Sequence, residues 1–269
     1  MNMRRFLTPK VQTWMHRANP ASKLVMMLLL FVMTLLTHRL DFIFYQAVLF
    51  IVLLFALSGY QPWKVALIIL PFVLVFVSSA TTMILFGKGD TLWWAWGLLH
   101  ISEESFYRGI HIGLKAVTFA SQGLLFVLTT SSVALFYALM QQMKLPPKYA
   151  YSFMASVRLL PMVWEELLVR RNALLIRGLR PPRGLAGLAT GAKLYAVPLL
   201  SQSIRRAHRV AVAMEAKAFD GSRPRTYFYP TAYSRYDLWI PVLLIIVQAL
   251  AYTLAMLYPP FGIADVRYH

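Results

Sequence analysis

Five apolar runs, at about 21–37, 42–57, 65–86, 109–130 and 238–257, limit what this chain can become. Each approaches or reaches the length a helix needs to cross a hydrocarbon layer, where every backbone N–H and C=O must be bonded inside the protein. Hydrophobic residues make up 59% of the 269 and charged residues only 14%, too apolar a balance for an ordinary soluble domain. The expected fold is an all-α integral membrane protein of about five transmembrane helices, with a further region of long amphipathic helices.

Residues 1–20 carry Arg4, Arg5, Lys10 and Arg17 and no acid, which marks a cytoplasmic flank. The first run ends in Leu36-Thr37-His38-Arg39 without a small-x-small site, so no leader cleavage is expected there. It is short, and it spans if Lys23 snorkels to the interface. Pro71 is the expected place for a kink in the third run. A longer outer loop, 87–108, holds Trp93, Trp94 and Trp96 as an interfacial aromatic belt and a weak excess of acid. Lys115 lies close enough to the outer end of the fourth run to snorkel. The domain reading is a four-span membrane region at 1–130, a cytoplasmic and interfacial region at 131–237, and a last span and tail at 238–269. The N-terminus is then inside and the C-terminus outside.

Residues 145–230 hold 14 of the 27 Lys and Arg. Two long helices are expected there, one from Pro147 to Ile176-Arg177-Gly178 and one from about Leu188 to Asp220-Gly221. Proline suits a first helical turn, and glycine suits the position just past the last one. Arg170, Arg171, Arg177, Arg180 and Arg183 at roughly 3 kcal/mol each would cost on the order of 15 kcal/mol to insert, so this end stays out of the bilayer. Leu159, Leu160, Val163, Trp164, Leu167 and Leu168 nevertheless recur at helical spacing and need an apolar partner or the membrane interface. Between Met140 and Leu238 sixteen Lys and Arg face five acids, which puts this region in the cytoplasm by the positive-inside rule.

The +17 formal charge is that of a nucleic-acid binder, but the cations flank membrane runs and form no nucleic-acid motif, so no nucleic acid is expected as a partner. There is no glycine-rich phosphate loop with a following Lys and Ser or Thr, no zinc-protease helix and no nucleophile elbow. The chain has no cysteine, hence no disulfide and no thiolate site. No catalytic residue, no metal site and no cofactor are expected. His100, Glu103, Glu104 and His111 carry metal-ligating groups close in sequence, but solvated loop and interface positions account for them. They would serve an intramembrane enzyme, and Lys115 would serve a self-sufficient carrier or channel. Both remain as alternatives, although the spans show little of the broken helices or paired ionisable groups that carriers use.

Several stretches resemble the transmembrane T component of energy-coupling factor transporters, the vitamin and metal importers of prokaryotes. Asn19-Pro20-Ala21-Ser22-Lys23-Leu24 looks like that family's Asp-Pro-x-x-Lys-Leu entry to the first span. Arg158-Leu159-Leu160-Pro161, Glu165-Glu166 and Ala173-Leu174-Leu175-Ile176-Arg177-Gly178 look like its first coupling helix. Val197-Pro198-Leu199-Leu200, Ile204-Arg205-Arg206-Ala207, Ala213-Met214-Glu215-Ala216-Lys217-Ala218-Phe219 and Arg223-Pro224-Arg225-Thr226 look like its second.

In that family each coupling helix ends in Ala-Arg-Gly and docks on an ATPase. The resemblance therefore implies a non-catalytic subunit in a prokaryotic cell (inner) membrane, with Ile176, Arg177, Gly178, Ala216, Lys217 and Ala218 as the ATPase-coupling residues. Both tripeptides depart from the pattern, and lysine at 217 keeps the charge but loses the planar fork of arginine. Small Ala216 and Ala218 are expected to let a partner's backbone approach closely. The implied partners are two ATPase subunits or one fused double ATPase, a substrate-specific S component and the lipid bilayer. ATP and magnesium are implied on the ATPases, and the implied cargo is a vitamin or related micronutrient.

Overall fold

Asn19 begins the first long apolar helix: its side-chain oxygen accepts from the Ala21 N–H at 2.9 Å, and Pro20 takes the first helical position. In the computed structural model, which describes residues 9–87, 89, 91–96, 99–179, 184–219, 226–263 and 265–266, a short α1 (Trp14–Arg17) precedes this helix, α2 (Pro20–Leu36). There follow α3 (Leu40–Leu57), α4 (Pro62–Phe86), β1 (Leu92–Trp96), β2 (Leu99–Ser102), α5 (Glu103–Thr129), α6 (Ser132–Gln142), α7 (Pro147–Ile176), α8 (Leu185–Ala216) and α9 (Tyr236–Leu257). By length and composition α3, α4, α5 and α9 can each cross a membrane, and α2 is a shorter apolar helix. The fold is that of an all-α membrane protein, with one small hairpin among the described residues.

The chain divides into two compact units, residues 1–135 with 231–269 and residues 136–230. The first is built around α5, which packs against α2, α3 and α4. Its apolar core joins Met27 and Leu30 of α2, Phe50 and Leu54 of α3, Leu125 of α5, and Ile240 and Leu244 of α9. α4 and α5 approach closely because α5 offers glycines. A Cβ on Gly109 would come within 2.7 Å of the Ile84 side chain and 2.9 Å of the Ala80 carbonyl, and one on Gly113 within 2.5 Å of the Phe76 ring. Small residues at such seams are how helices associate in lipid, where no hydrophobic force draws them together.

Polar groups inside this unit bond to one another. The Gln46 amide nitrogen donates to the Thr34 hydroxyl at 3.1 Å and to the Gln248 carbonyl oxygen at 3.2 Å, and the Gln122 amide donates to the same hydroxyl at 3.2 Å. Four helices, α2, α3, α5 and α9, thus share one hydrogen-bonded cluster.

Lys23 does not snorkel. It is 1% exposed, and its ammonium donates to the Met15 and Thr129 carbonyls, each at 2.9 Å. Thr129 is the last residue of α5, so the lysine caps a carbonyl that the helix itself leaves unpaired. Lys115, expected to snorkel, donates to the Leu35 carbonyl at 3.0 Å, in the last turn of α2.

The segment read as an outer loop holds regular structure among its described residues. Strands β1 and β2 pair antiparallel, and α5 begins at Glu103, six residues before the apolar run, because Ser102 and Ser105 cap it reciprocally. After α9 the tail returns: the Phe261 N–H donates to Asp41 at 2.8 Å and the Val266 N–H to the His38 carbonyl at 3.3 Å, while Ile263 and Val266 pack on Leu40.

Two outcomes are expected. Lys23→Met leaves two buried carbonyls unpaired, at about 1–3 kcal/mol each, so the detergent-solubilised protein should lose roughly 2–6 kcal/mol of stability, read from its thermal or denaturant midpoint. Burial, with the Lys23 ammonium as the second cause, pushes the His16 imidazole below its ordinary 6.5. A base held down in the folded state contributes stability that is complete above the unfolded pKa and is lost as pH falls through 6.5 and below. His16→Gln should flatten the melting temperature across that acid range, and an unchanged pH profile would refute the assignment.

Candidate functional site

In the second unit α7 and α8 run antiparallel. The Tyr151 ring, near the start of α7, meets Phe219, just past the end of α8, with centroids 5.8 Å apart. Farther along, Glu166 pairs with Arg206, and the Arg170 guanidinium Nε donates to the Leu194 carbonyl at 3.0 Å. Leu174 and Leu199 are the buried apolar residues of this stretch. Glu166, Arg170, Leu174, Arg177 and Leu199 line a cleft of about 470 Å³. Both helices continue through an internal proline, Pro161 in α7 and Pro198 in α8.

The two expected coupling tripeptides adopt the same turn. At the end of α7, Arg177 is the last partly helical residue, at φ −77° and ψ 3°. Gly178 is left-handed at φ +71°; its N–H donates to the Leu175 carbonyl at 3.1 Å, and the Leu179 N–H donates to the Leu174 carbonyl at 3.0 Å. At the end of α8, Lys217 has φ −88° and ψ 13°, and Ala218 is left-handed at φ +52°. The Ala218 N–H donates to the Glu215 carbonyl at 2.8 Å and the Phe219 N–H to the Met214 carbonyl at 2.9 Å. This pair of bonds is the Schellman motif, once with glycine and once with alanine in the left-handed position.

Each turn therefore presents a cation where the helix dipole is negative and its carbonyls converge. All six residues, Ile176, Arg177, Gly178, Ala216, Lys217 and Ala218, are exposed. The antiparallel course puts the cations at opposite ends of the pair: Lys217 lies two residues before Phe219, beside Tyr151, and the 26 residues from Tyr151 to Arg177 make roughly 39 Å of α-helix.

Three sequence expectations change here. The second helix starts at Leu185, three residues before the expected Leu188, and ends at Ala216; its left-handed cap is Ala218. Asp220 and Gly221, expected to close it, lie outside the described residues, as do Arg180 to Arg183. Ala218 thus takes the left-handed position that closes the turn. The pairing of Glu166 with Arg206 was not foreseen. Both residues stood out as parts of acidic and basic doublets, but no local spacing links positions 40 residues apart.

Of the cluster His100, Glu103, Glu104 and His111, the described members Glu104 and His111 have separate partners. Glu104 accepts from the Thr91 hydroxyl at 2.7 Å, and the buried His111 ring stacks beside His38 with centroids 6.5 Å apart. The His100 side chain lies outside what the structure describes, and no group of three His, Cys, Asp or Glu comes together among the described residues.

The fold is that of a helical membrane protein carrying two long cationic helices, and comparison with known proteins supplies its family. The family described as cobalt transport protein (CbiQ) matches residues 11–228, and the chain belongs to that family. Among its relatives, the energy-coupling factor transporter transmembrane protein EcfT of Lacticaseibacillus paracasei is 24% identical over 238 residues, covering 85% of this chain and 89% of that protein. The EcfT proteins of Brevibacillus brevis and Lactococcus lactis subsp. cremoris are 27% and 24% identical, covering 80% and 87% of this chain and 84% and 91% of their own. It is a multi-pass cell membrane protein, the T component of an energy-coupling factor transporter.

Left-handed alanine costs about 1–2 kcal/mol, because its Cβ crowds the following carbonyl, and glycine avoids this. Ala218→Gly should therefore stabilise the end of α8 by about 1 kcal/mol, with slower amide exchange at Phe219 as the measurement. Gly178→Ala should cost the end of α7 a similar amount.

Proposed function

We propose that the chain is a non-catalytic coupling subunit that converts ATP hydrolysis on two partner ATPases, separate or fused, into uptake of a vitamin or related micronutrient through a distinct S component. The observation that carries this reading is the geometry of α7 and α8. Two equivalent Schellman turns, each bearing an exposed cation, stand at opposite ends of one antiparallel pair, a spacing suited to two ATPase surfaces. ATP and magnesium belong to the ATPases in this reading, and the chain needs no cofactor of its own. The positive-inside balance puts the N-terminus and the helix pair in the cytoplasm and the C-terminus outside.

The energetic distinction is between a cap and a contact. A cation that only closes its helix contributes a few tenths to about 1 kcal/mol. One that meets an acid across a desolvated interface costs roughly 2–5 kcal/mol on truncation, because the partner's charge stays buried and unpaired. Arg177→Ala should damage uptake, and the double change with Lys217→Ala should damage it further, since each turn serves a different ATPase. Lys217→Arg should be tolerated. Uptake and ATP hydrolysis of reconstituted complexes at matched expression decide the matter, and full activity of the double alanine variant refutes docking through these turns.

A further inference from the structure

We infer that the Glu166–Arg206 pair is a pin between the two coupling helices, so that displacement of either cationic end moves both helices together; the inference rests on the coupling role proposed above. Glu166 lies 11 residues before Arg177 on α7, and Arg206 lies 11 residues before Lys217 on α8. At 1.5 Å per residue the pin stands about 16 Å of helix from each cation. It joins the pair midway between the two points where force would enter.

The prolines explain why such a pin is needed. Pro161 precedes Glu166 by five residues and Pro198 precedes Arg206 by eight, and each proline removes a backbone hydrogen bond and gives its helix a place to bend. Both members of the pin lie on the cation-bearing side of their proline. A push on either turn would otherwise be spent in bending one helix alone. With the carboxylate and guanidinium joined, the distal segments of α7 and α8 form one body.

The pair is chosen from its surroundings. Each member belongs to a like-charged doublet, Glu165-Glu166 and Arg205-Arg206, and in each doublet the second residue is the one turned inward while the first is exposed. The paired side chains are only 21% and 19% exposed. The second Glu166 oxygen and the other Arg206 terminal nitrogen are buried and make no hydrogen bond, so the pair is joined through one atom of each. Neither charge is solvated well enough to do without the other, so loss of one strands the other.

The test uses the reconstituted complex of the full chain with its ATPases and S component, and reads uptake per ATP hydrolysed. Glu166→Gln and Arg206→Gln should each lower that ratio by about tenfold or more, and the exchanged pair E166R/R206E should recover most of it. Arg205→Gln, in the exposed neighbour, should leave it unchanged. The inference is overturned if the single variants keep the wild-type ratio, if the exchanged pair recovers nothing, or if Arg205→Gln is equally harmful.

Should a single variant fail to assemble, a covalent pin decides. The chain has no native cysteine, so E166C/R206C can be bridged selectively by a short bis-maleimide. Bridging should raise the ratio at least severalfold above the unbridged protein, and an equal ratio with and without the bridge overturns the pin. Damage from Arg177→Ala together with intact coupling in the Glu166 and Arg206 variants would sink the pin alone. Full activity of the Arg177 and Lys217 double alanine variant would instead sink the docking role.

Discussion

Backbone carbonyls at helix ends have no partner within their own helix, and in a membrane protein no water inside the hydrocarbon layer can supply one. The membrane unit depends on how that constraint is met. Lys23 closes the end of α5 at Thr129 while also holding Met15 of α1, and Lys115 reaches the last turn of α2 at Leu35. A buried ammonium is costly alone, but here it is bonded to two carbonyl oxygens, Met15 of α1 and Thr129 at the negative end of α5. The entry motif extends the same economy. Asp237 of α9 accepts from the Asn19 N–H at 2.6 Å and from the Ser234 N–H at 2.7 Å, so the carboxylate serves the start of α2 and the approach to α9 together. Residues 19–23 therefore tie α1, α2, α5 and α9 by polar bonds at places where apolar packing cannot satisfy the backbone.

The same principle governs the two turns that end α7 and α8. A Schellman end needs one left-handed residue, and sequence does not have to supply glycine for it to form. Bonds from Ala218 to Glu215 and from Phe219 to Met214 close α8 as the corresponding bonds close α7. The ring contact of Tyr151 with Phe219 holds the residue after Ala218 and offsets part of the strain. The departure from Ala-Arg-Gly at 216–218 thus changes cost more than shape: the cation at 217 is presented as the one at 177 is.

Legibility in the sequence followed the physics of each feature. The spans were readable because apolar length is a property of contiguous residues, and their observed limits fall within a few residues of the runs except at α5. There the start depends on Ser102 and Ser105, a cap of two serines in a segment read as loop, and Gly97-Leu98, the two residues between the Trp-rich stretch and Leu99, were not read as a hairpin signal although Gly-X is one. Lys23 misled for another reason: whether a lysine near a helix start reaches water or a neighbour's carbonyl is set by where Thr129 ends, more than 100 residues away. At the candidate site the tripeptides and their cations were visible as motifs. Their common backbone geometry was not, because Ala218 has no left-handed preference of its own. The Glu166–Arg206 pair needed the antiparallel course of α7 and α8, which no single residue encodes.

That course also explains the apolar character of helices too charged to enter the bilayer. In α7 and α8 only Ala150, Leu174 and Leu199 of the described apolar side chains are buried, whereas α5 buries residues along its whole length. Leu160, Val169, Leu200 and Ile204 stay largely exposed on helices of 30 and 32 residues. Helices stabilise chiefly by burying one face, and two helices that touch through the Glu166–Arg206 pair, the Arg170–Leu194 bond, the Tyr151–Phe219 rings and a few leucines leave most of that face uncovered. Surfaces of this size and kind mark contact with protein or membrane. The helix pair thus leaves much of its apolar face uncovered, while the hydrogen bonds of its two turns fix how the cations at 177 and 217 are presented.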